Sequence, residues 1–253
     1  MSLGEIKGKK LAYLLGEDDA GKTTLATSLA NRLSAKGRIA LIDADVGQGS
    51  LPLTVTLFYI ESHFASFSDL EVAEREFIPG YDLMRFHQRY VMTLAEFAER
   101  SRREARYVLI DPTGLIRPDL KRREIEAVAP DLVIALERGG ELEPILSLLN
   151  CTVARYPIPE EARRRSQRAR KTARGEKFRQ YFRGAIRREI RAEPIQDWRS
   201  RLVALYAEGF LGLGITVARS ASGLMVLTPV MADIKRLEFG HLKVDPERGE
   251  IGR

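Results

Sequence analysis

Gly16, Gly21, Lys22 and Thr23 stand at the spacing G-x-x-x-x-G-K-[ST] of a phosphate loop. Glycines at those places let the chain turn tightly, so that backbone N–H groups of residues 16–24, Asp19, Ala20 and Thr24 among them, ring a phosphate. The Lys22 ammonium then reaches the terminal phosphates, and the Thr23 hydroxyl ligates Mg²⁺. Further along, Asp43-Ala44-Asp45-Val46-Gly47-Gln48 presents two carboxylates, and acidic residues in such a place commonly hold Mg²⁺ directly or through water. A single Asp could merely cap a turn; a pair with Gly-Gln behind it fits a ligand set better. A third stretch, Asp111-Pro112-Thr113-Gly114, has the Asp-x-x-Gly form whose glycine N–H senses a γ-phosphate in many phosphate-loop proteins. Together these residues call for a nucleoside triphosphate site.

The flanking pattern supplies the elements such a site needs. Residues 10–15 read as a short apolar strand entering the loop, and Leu25, Ala26, Leu29 and Leu33 recur at helical spacing after it. A helix N-terminus aimed at the loop adds its own preference for anions. Residues 38–43, 107–111, 131–136 and 152–156 read as further strands, several of them continuous apolar runs of the kind a sheet covered on both faces requires. Residues 86–103, 121–128 and 141–149 read as helices between them. This alternation predicts a mostly parallel, right-handed α/β sheet. Residues 50–85 fit neither period and read as a mobile or substrate-facing insertion. His63 and His87 are too isolated to propose as ligands.

The 253 residues carry a net charge of +6, unevenly spread. Between Arg163 and Arg191 thirteen Arg or Lys face only Glu176 and Glu189, a local charge of +11. A chain that concentrates its basic charge in one segment uses it on a polyanion. The arginines fall on every face of a helical stretch opened by Glu160 and Glu161, so that helix has little to bury and suits closure over something anionic. A plainly solvated helical face is the alternative. Phe178, Tyr181 and Phe182 read as the anchor of its end. The single Cys151 excludes an intramolecular disulfide and a cysteine-based zinc site, and reads as a buried, inert thiol. No apolar run is long enough to span a bilayer, and the polar N-terminal residues give no secretion signal, so a cytoplasmic protein away from membranes is expected. From Arg201 onward short β-rich runs are broken by Gly209, Gly212, Gly223 and Pro229. The expected organisation is a core over residues 1–158, an Arg-rich lid over 159–192 and a small β-rich subdomain over 193–253.

Taken together, these stretches resemble the polynucleotide 5′-hydroxyl kinases, a family that includes the RNA kinase of pre-mRNA cleavage and tRNA-splicing complexes, its ribosomal-RNA-processing relative and archaeal homologues. The likeness lies in the phosphate loop with Asp19 inside it, Asp-x-Asp-x-Gly-Gln at 43–48 and Asp-x-Thr-Gly at 111–114. It extends to the segment from Leu120-Lys121-Arg122 to Ala135, to the arginine-rich run from Arg165-Ser166 to Phe182, and to Thr228-Pro229. It implies a P-loop NTPase fold with an Arg-rich helical lid and a small β-rich C-terminal appendage. It also implies ATP and Mg²⁺ as cofactors and RNA or single-stranded DNA with a 5′-OH end as acceptor. Carried across residue by residue, Lys22 clamps the transferring phosphate, with Gly16, Asp19, Ala20, Gly21, Thr23, Thr24 and Gly114 around the nucleotide. Thr23, Asp43 and Asp45 fall to the metal site, Asp45 either as general base for the hydroxyl or ordering Mg²⁺ through water, with Asp43 supporting it. Arg165 and Arg170 are the lid arginines, Arg170 the favoured one for charge on the moving phosphoryl, and Gln48, Arg168 and Arg174 fall to the nucleic acid.

The chain departs from the family pattern in three places. No β-rich domain stands ahead of Gly16, Ile78-Pro79-Gly80 is the nearest match to the Thr-Pro or Ser-Pro clasp, and Arg117-Pro118 stands where glycine-containing residues are common. These departures bear on acceptor binding more than on ATP. The rival expectation is a non-catalytic ATP-binding scaffold of an RNA-processing complex. A switch or partitioning NTPase is a weaker one, because there is no Asn-Lys-x-Asp motif and no lysine directly after Gly16. A small-molecule kinase also shares the loop.

Overall fold

The computed structural model describes residues 8–159 and 162–252; Glu160 and Glu161, expected to open the basic helix, lie outside them. The described chain separates into two compact units. One holds the chain up to Ser50, Thr54–Arg75 and His87–Arg165; the other holds Leu51–Leu53, Glu76–Phe86 and the chain from Ser166 onward.

In the first unit, β1 (Leu11–Leu15), β2 (Ile39–Ala44), β3 (Thr54–Ile60), β4 (Val72–Phe77), β5 (Tyr107–Pro112), β6 (Leu132–Glu137) and β7 (Thr152–Pro157) form a sheet in the order β4-β3-β2-β5-β1-β6-β7. β2, β5, β1, β6 and β7 run parallel, while β3 pairs antiparallel with β2. The inner strands are buried along almost their whole length, as their apolar runs demand, whereas the outer β7 is largely exposed. Helices α1 (Lys22–Ser34), α2 (Leu83–Glu104), α3 (Pro118–Val128) and the short α4 (Glu143–Leu146) accompany these strands, α2 having its first residues in the other unit. Ala26, Leu29, Ala30 and Leu33 of α1 close over Leu14, Leu41, Leu109 and Ile134 of the sheet. β1 sits between β5 and β6, so the chain departs from it to one side and later returns past it to the other. Open α/β sheets bind ligands at such a switch point, beyond the carboxyl ends of the strands.

Residues 50–85 are not an irregular insertion. Thr-Val-Thr-Leu-Phe-Tyr-Ile makes β3, a turn at Phe67–Asp69 is capped by Ser66, and β4 follows. The strands escaped detection because Thr54 and Thr56 break the apolar run of β3, and because β4, Val-Ala-Glu-Arg-Glu-Phe, is charged as an edge strand often is. The helix expected over 141–149 shrinks to one turn. Cys151 is half-buried rather than buried, and burial pushes its thiol up, which keeps it protonated.

The second unit is built on an antiparallel sheet of β8 (Ile186–Ile190), β9 (Arg201–Tyr206), β10 (Phe210–Arg219), β11 (Leu224–Thr228), β12 (Arg236–Asp245) and β13 (Gly249–Gly252), in the order β13-β12-β9-β10-β11-β8. The basic helix α5 (Gln167–Tyr181) packs against β13. It starts at Gln167, where the Ser166 hydroxyl accepts the Ala169 N–H, later than its sequence suggests. Phe178 and Phe182 are buried against Leu202, Leu213 and Ile215, and the Tyr181 hydroxyl accepts the Leu213 N–H at 2.8 Å. The aromatic trio therefore anchors α5 within its own unit, while the helix's arginines leave it with little else to bury.

Candidate active site

β1 delivers the chain into the phosphate loop, and α1 begins at Lys22. Gly21 takes φ +90°, a conformation that only glycine adopts freely. No side chain caps the first turn of α1 and no acidic residue stands in it. Its N–H groups and the positive end of its dipole are thus left for an anionic ligand. The underside of the loop is held by Ala20 packing with Leu136 and Ile158. Its upper side meets the turn after β5: a Cβ on Gly114 would fall 2.2 Å from the Asp18 N and Oδ1 atoms. Gly114 therefore lies directly on the loop, where its N–H can address a phosphate.

The Lys22 side chain is 6% exposed and donates to the Gly16 and Glu17 carbonyls at 3.0 and 2.8 Å, so its ammonium spans the loop. Thr23 Oγ1 donates to Asp111 Oδ2 at 2.6 Å. The other Asp111 oxygen is buried without a hydrogen-bond partner. Burial pushes the Asp111 carboxyl up to about 7; the charges of Asp43 and Asp45 add to this, while Lys22 and the Thr23 hydroxyl oppose it. Parallel pairing of β2 with β5 sets Asp43 beside Asp111. Asp43 Oδ2 accepts the Ser50 N–H at 2.5 Å, which fixes the turn after β2. Asp45 Oδ1 accepts both the Gly47 and Gln48 N–H groups, at 3.0 and 2.9 Å, and Gln48 itself turns back to the Gly47 carbonyl at 2.8 Å.

These donors suit Mg²⁺. The ion is hard, takes oxygen ligands, keeps several waters and uses one or two protein groups beside substrate phosphates. Thr23 Oγ1 and the orphaned Asp111 oxygen are such a pair. Among the described residues no three His, Cys, Asp or Glu side chains converge into a cage of their own. Asp111 is a site residue that sequence reasoning missed, because the Asp-x-x-Gly pattern points first to its glycine.

Two arginines follow β7 onto the loop. Arg165 binds Asp19 twice, through its backbone N–H at 2.8 Å and Nε at 2.7 Å, and Arg164 pairs with Glu17. Arg165 thus stands at the loop, on an aspartate that is 6% exposed. Arg168, Arg170 and Arg174 lie on α5 in the second unit, where the Arg174 guanidinium sits 4.7 Å from the Tyr81 ring centroid. The structure brings Lys22, Thr23, Asp43, Asp45, Gly114 and Arg165 together in one unit.

Behind β1 lies a buried polar network that sequence reasoning missed. Tyr13 OH and Lys121 Nζ donate to Glu124 Oε2 at 2.5 and 2.6 Å, and His87 Nε2 stands 3.5 Å from Glu124 Oε1. Lys121 and Glu124 are 0% and 1% exposed. Burial pulls the Lys121 ammonium down and works against the Glu124 carboxylate too. The charge of Lys121, the nearby His87 ring and the hydrogen bonds from Lys121 and Tyr13 nonetheless hold Glu124 below the usual carboxylate range. Two donors on one carboxylate oxygen fit an ionised Lys121–Glu124 pair.

Residues 16–184 match the family described as the mRNA cleavage and polyadenylation factor CLP1 P-loop. The chain is 39% identical over 175 residues to a polyribonucleotide 5′-hydroxyl-kinase of Pyrococcus abyssi, covering 67% of this chain and 49% of that one. It is 36% identical over 186 residues to a protein of the same description from Pyrococcus horikoshii, covering 71% and 52%. It is 34% identical over 180 residues to another from Methanocaldococcus jannaschii, covering 68% and 50%. The chain spans about half the length of the curated relatives it matches.

Proposed function

Because the chain belongs to the CLP1 P-loop family, we propose that it is an ATP- and Mg²⁺-dependent polynucleotide 5′-hydroxyl kinase. It moves the γ-phosphate of ATP to the 5′-OH of RNA or single-stranded DNA. The observation that carries this is the grouping of Lys22, Thr23 and Asp111 around an uncapped helix N-terminus, with Asp45 at the tip of the next strand. The names of the archaeal relatives support the same chemistry and favour RNA.

In the reaction the acceptor O5′ forms a bond to the γ-phosphorus as the bond to the β–γ bridging oxygen breaks, and ADP leaves. The protein's task is positioning and offsetting charge. The α1 N–H groups and Gly114 bind the phosphates, and Lys22 swings from the loop carbonyls onto the β- and γ-oxygens. Asp45 accepts the hydroxyl proton; both of its backbone bonds fall on Oδ1, so Oδ2 keeps its lone pairs. Thr23 and Asp111 would hold Mg²⁺, supported by Asp43 and Asp45, and the ion would supply charge neutralisation at the triphosphate. Arg165 guards the loop and Arg170 stabilises the moving phosphoryl, a role worth about 10³ to 10⁵ in rate for an arginine so placed. Residues 1–158 form the core of this machine, 159–192 its lid and 193–253 a β-rich support, with Gln48, Arg168 and Arg174 on the strand. It acts in the cytoplasm, in keeping with its lone cysteine. Among the described residues no helix is long and apolar enough to cross a membrane.

Incubation with labelled ATP and a 5′-OH oligoribonucleotide, beside the matched DNA, tests this. The native protein transfers label and Lys22→Ala does not. Tight co-purifying ATP with no transfer by the native protein would instead favour an ATP-binding scaffold.

A further inference from the structure

The second unit contains a cavity of about 220 Å³ lined by Tyr81, Asp82, Arg85, Phe86, Arg201 and His241, over the backbone of Gly80. Its floor is fixed. The His241 N–H donates to the Pro79 carbonyl at 2.7 Å, tying β12 to the segment before α2. A Cβ on Gly80 would stand 2.8 Å from Phe86 Cε2, so the Phe86 ring rests directly on the glycine. The rings of Phe86 and His241 lie 5.0 Å apart and tilted by 49°, Phe86 half-buried and His241 exposed. They form a corner of two aromatic surfaces rather than a closed stack.

Cations surround this corner. The exposed Arg85 sets its guanidinium 5.5 Å from the Phe86 ring centroid. Arg201 lines the cavity, and Arg174 lies over Tyr81. Two carboxylates stand among these cations: Asp82 also lines the cavity, its Oδ1 accepting the Met84 N–H at the start of α2, and Asp197 is shared between Arg201 and Lys243. Burial, together with Arg85 and Arg201, pulls the His241 imidazole down, so it presents a neutral ring at pH 7. Aromatic faces beside guanidinium groups, in a cleft with excess positive charge, are the means by which proteins hold single-stranded nucleic acid without reading its sequence. The cavity is smaller than the about 300–1,000 Å³ of a drug-sized ligand pocket. It suits one base and its phosphate.

We propose that this cavity is a nucleotide subsite for a single-stranded polynucleotide, in which one base stacks in the Phe86–His241 corner and its phosphate meets Arg85 and Arg201. The subsite gives the chain a hold on the strand that is separate from the phosphate loop. It rests on the kinase reading only for the identity of the strand as acceptor.

The test is fluorescence anisotropy with a labelled single-stranded oligoribonucleotide, run beside a labelled ATP analogue. Phe86→Leu keeps apolar volume but removes the π-face, and Arg85→Gln removes the charge on an exposed side chain. Each weakens oligonucleotide binding about tenfold, the loss of one stacked base or one phosphate contact, and leaves the ATP analogue's affinity unchanged. Native-like oligonucleotide affinity in both variants overturns the subsite, as does failure of the native protein to bind the strand. The kinase reading falls separately: a native protein that binds the strand through these residues but transfers no label keeps the subsite and loses the reaction.

Discussion

At Asp111 two demands conflict. Burial in the sheet favours a neutral carboxyl, pushed up to about 7, yet its position against Thr23 and beside Asp43 would suit a metal-holding carboxylate. Its buried oxygen without a hydrogen-bond partner is where a cation would balance the charge. Asp111→Asn keeps an acceptor for the Thr23 hydroxyl but removes the charge. Titration of label transfer against Mg²⁺ should show the requirement rising by about 10–100-fold, with the fold intact by circular dichroism. Unchanged Mg²⁺ dependence would move the metal to Asp43 and Asp45. The pattern Asp-x-x-Gly was legible in the sequence, but the choice between Asp111 and its neighbours was not. It depends on which carboxylate β2–β5 pairing turns towards Thr23, and strand pairing is written in no local spacing.

The elements divide along the same line. α1, β1, β2 and β5 announce themselves through apolar runs and a motif with fixed geometry. β4 does not, because an edge strand whose half-buried Glu74 and Arg75 are held by Arg100 and Thr56 carries no alternating apolar pattern. Nor could spacing reveal that Leu51–Leu53 and Glu76–Phe86 belong with the C-terminal sheet, since that association is a matter of tertiary packing. Lys121 and Glu124 lie three residues apart on α3, a spacing that carries no sign of burial, yet they are buried under β1 with Tyr13 and His87. Removing one partner from a buried pair strands the other, so Lys121→Met should cost about 3–5 kcal/mol in urea unfolding. The acid limb offers a second check. Glu124 holds its proton more weakly when folded than when unfolded, so its contribution is complete above its ordinary value of 4.5 and fades as pH falls below it. Glu124→Gln should therefore lower stability at neutral pH and flatten its decline below about pH 4.5. An acid limb parallel to that of the native protein would mean that Glu124 is not charged in the fold.

For the whole molecule the decisive quantity is where its charge lies. A net +6 arises from a segment of +11 set against a remainder of opposite sign. Much of that segment is α5, whose half-buried and buried positions include Gly175 and Phe178 while Arg168 and Lys171 face solvent. Arg164 and Arg165 are spent on Glu17 and Asp19, so the proposed strand binding would draw on the arginines beyond them. If about four phosphates of a single strand are neutralised, the logarithm of the binding constant falls with the logarithm of salt concentration at a slope of roughly −3. Arg168→Gln and Arg174→Gln should each make that slope shallower by about 0.7, and the double variant by their sum, because released counterions are counted per phosphate. Arg174 lies over Tyr81, so its replacement should also weaken binding at high salt, where only stacking remains; Arg168 should not. A slope near zero in the native protein would mean that the basic segment meets no polyanion, whatever the phosphate loop binds.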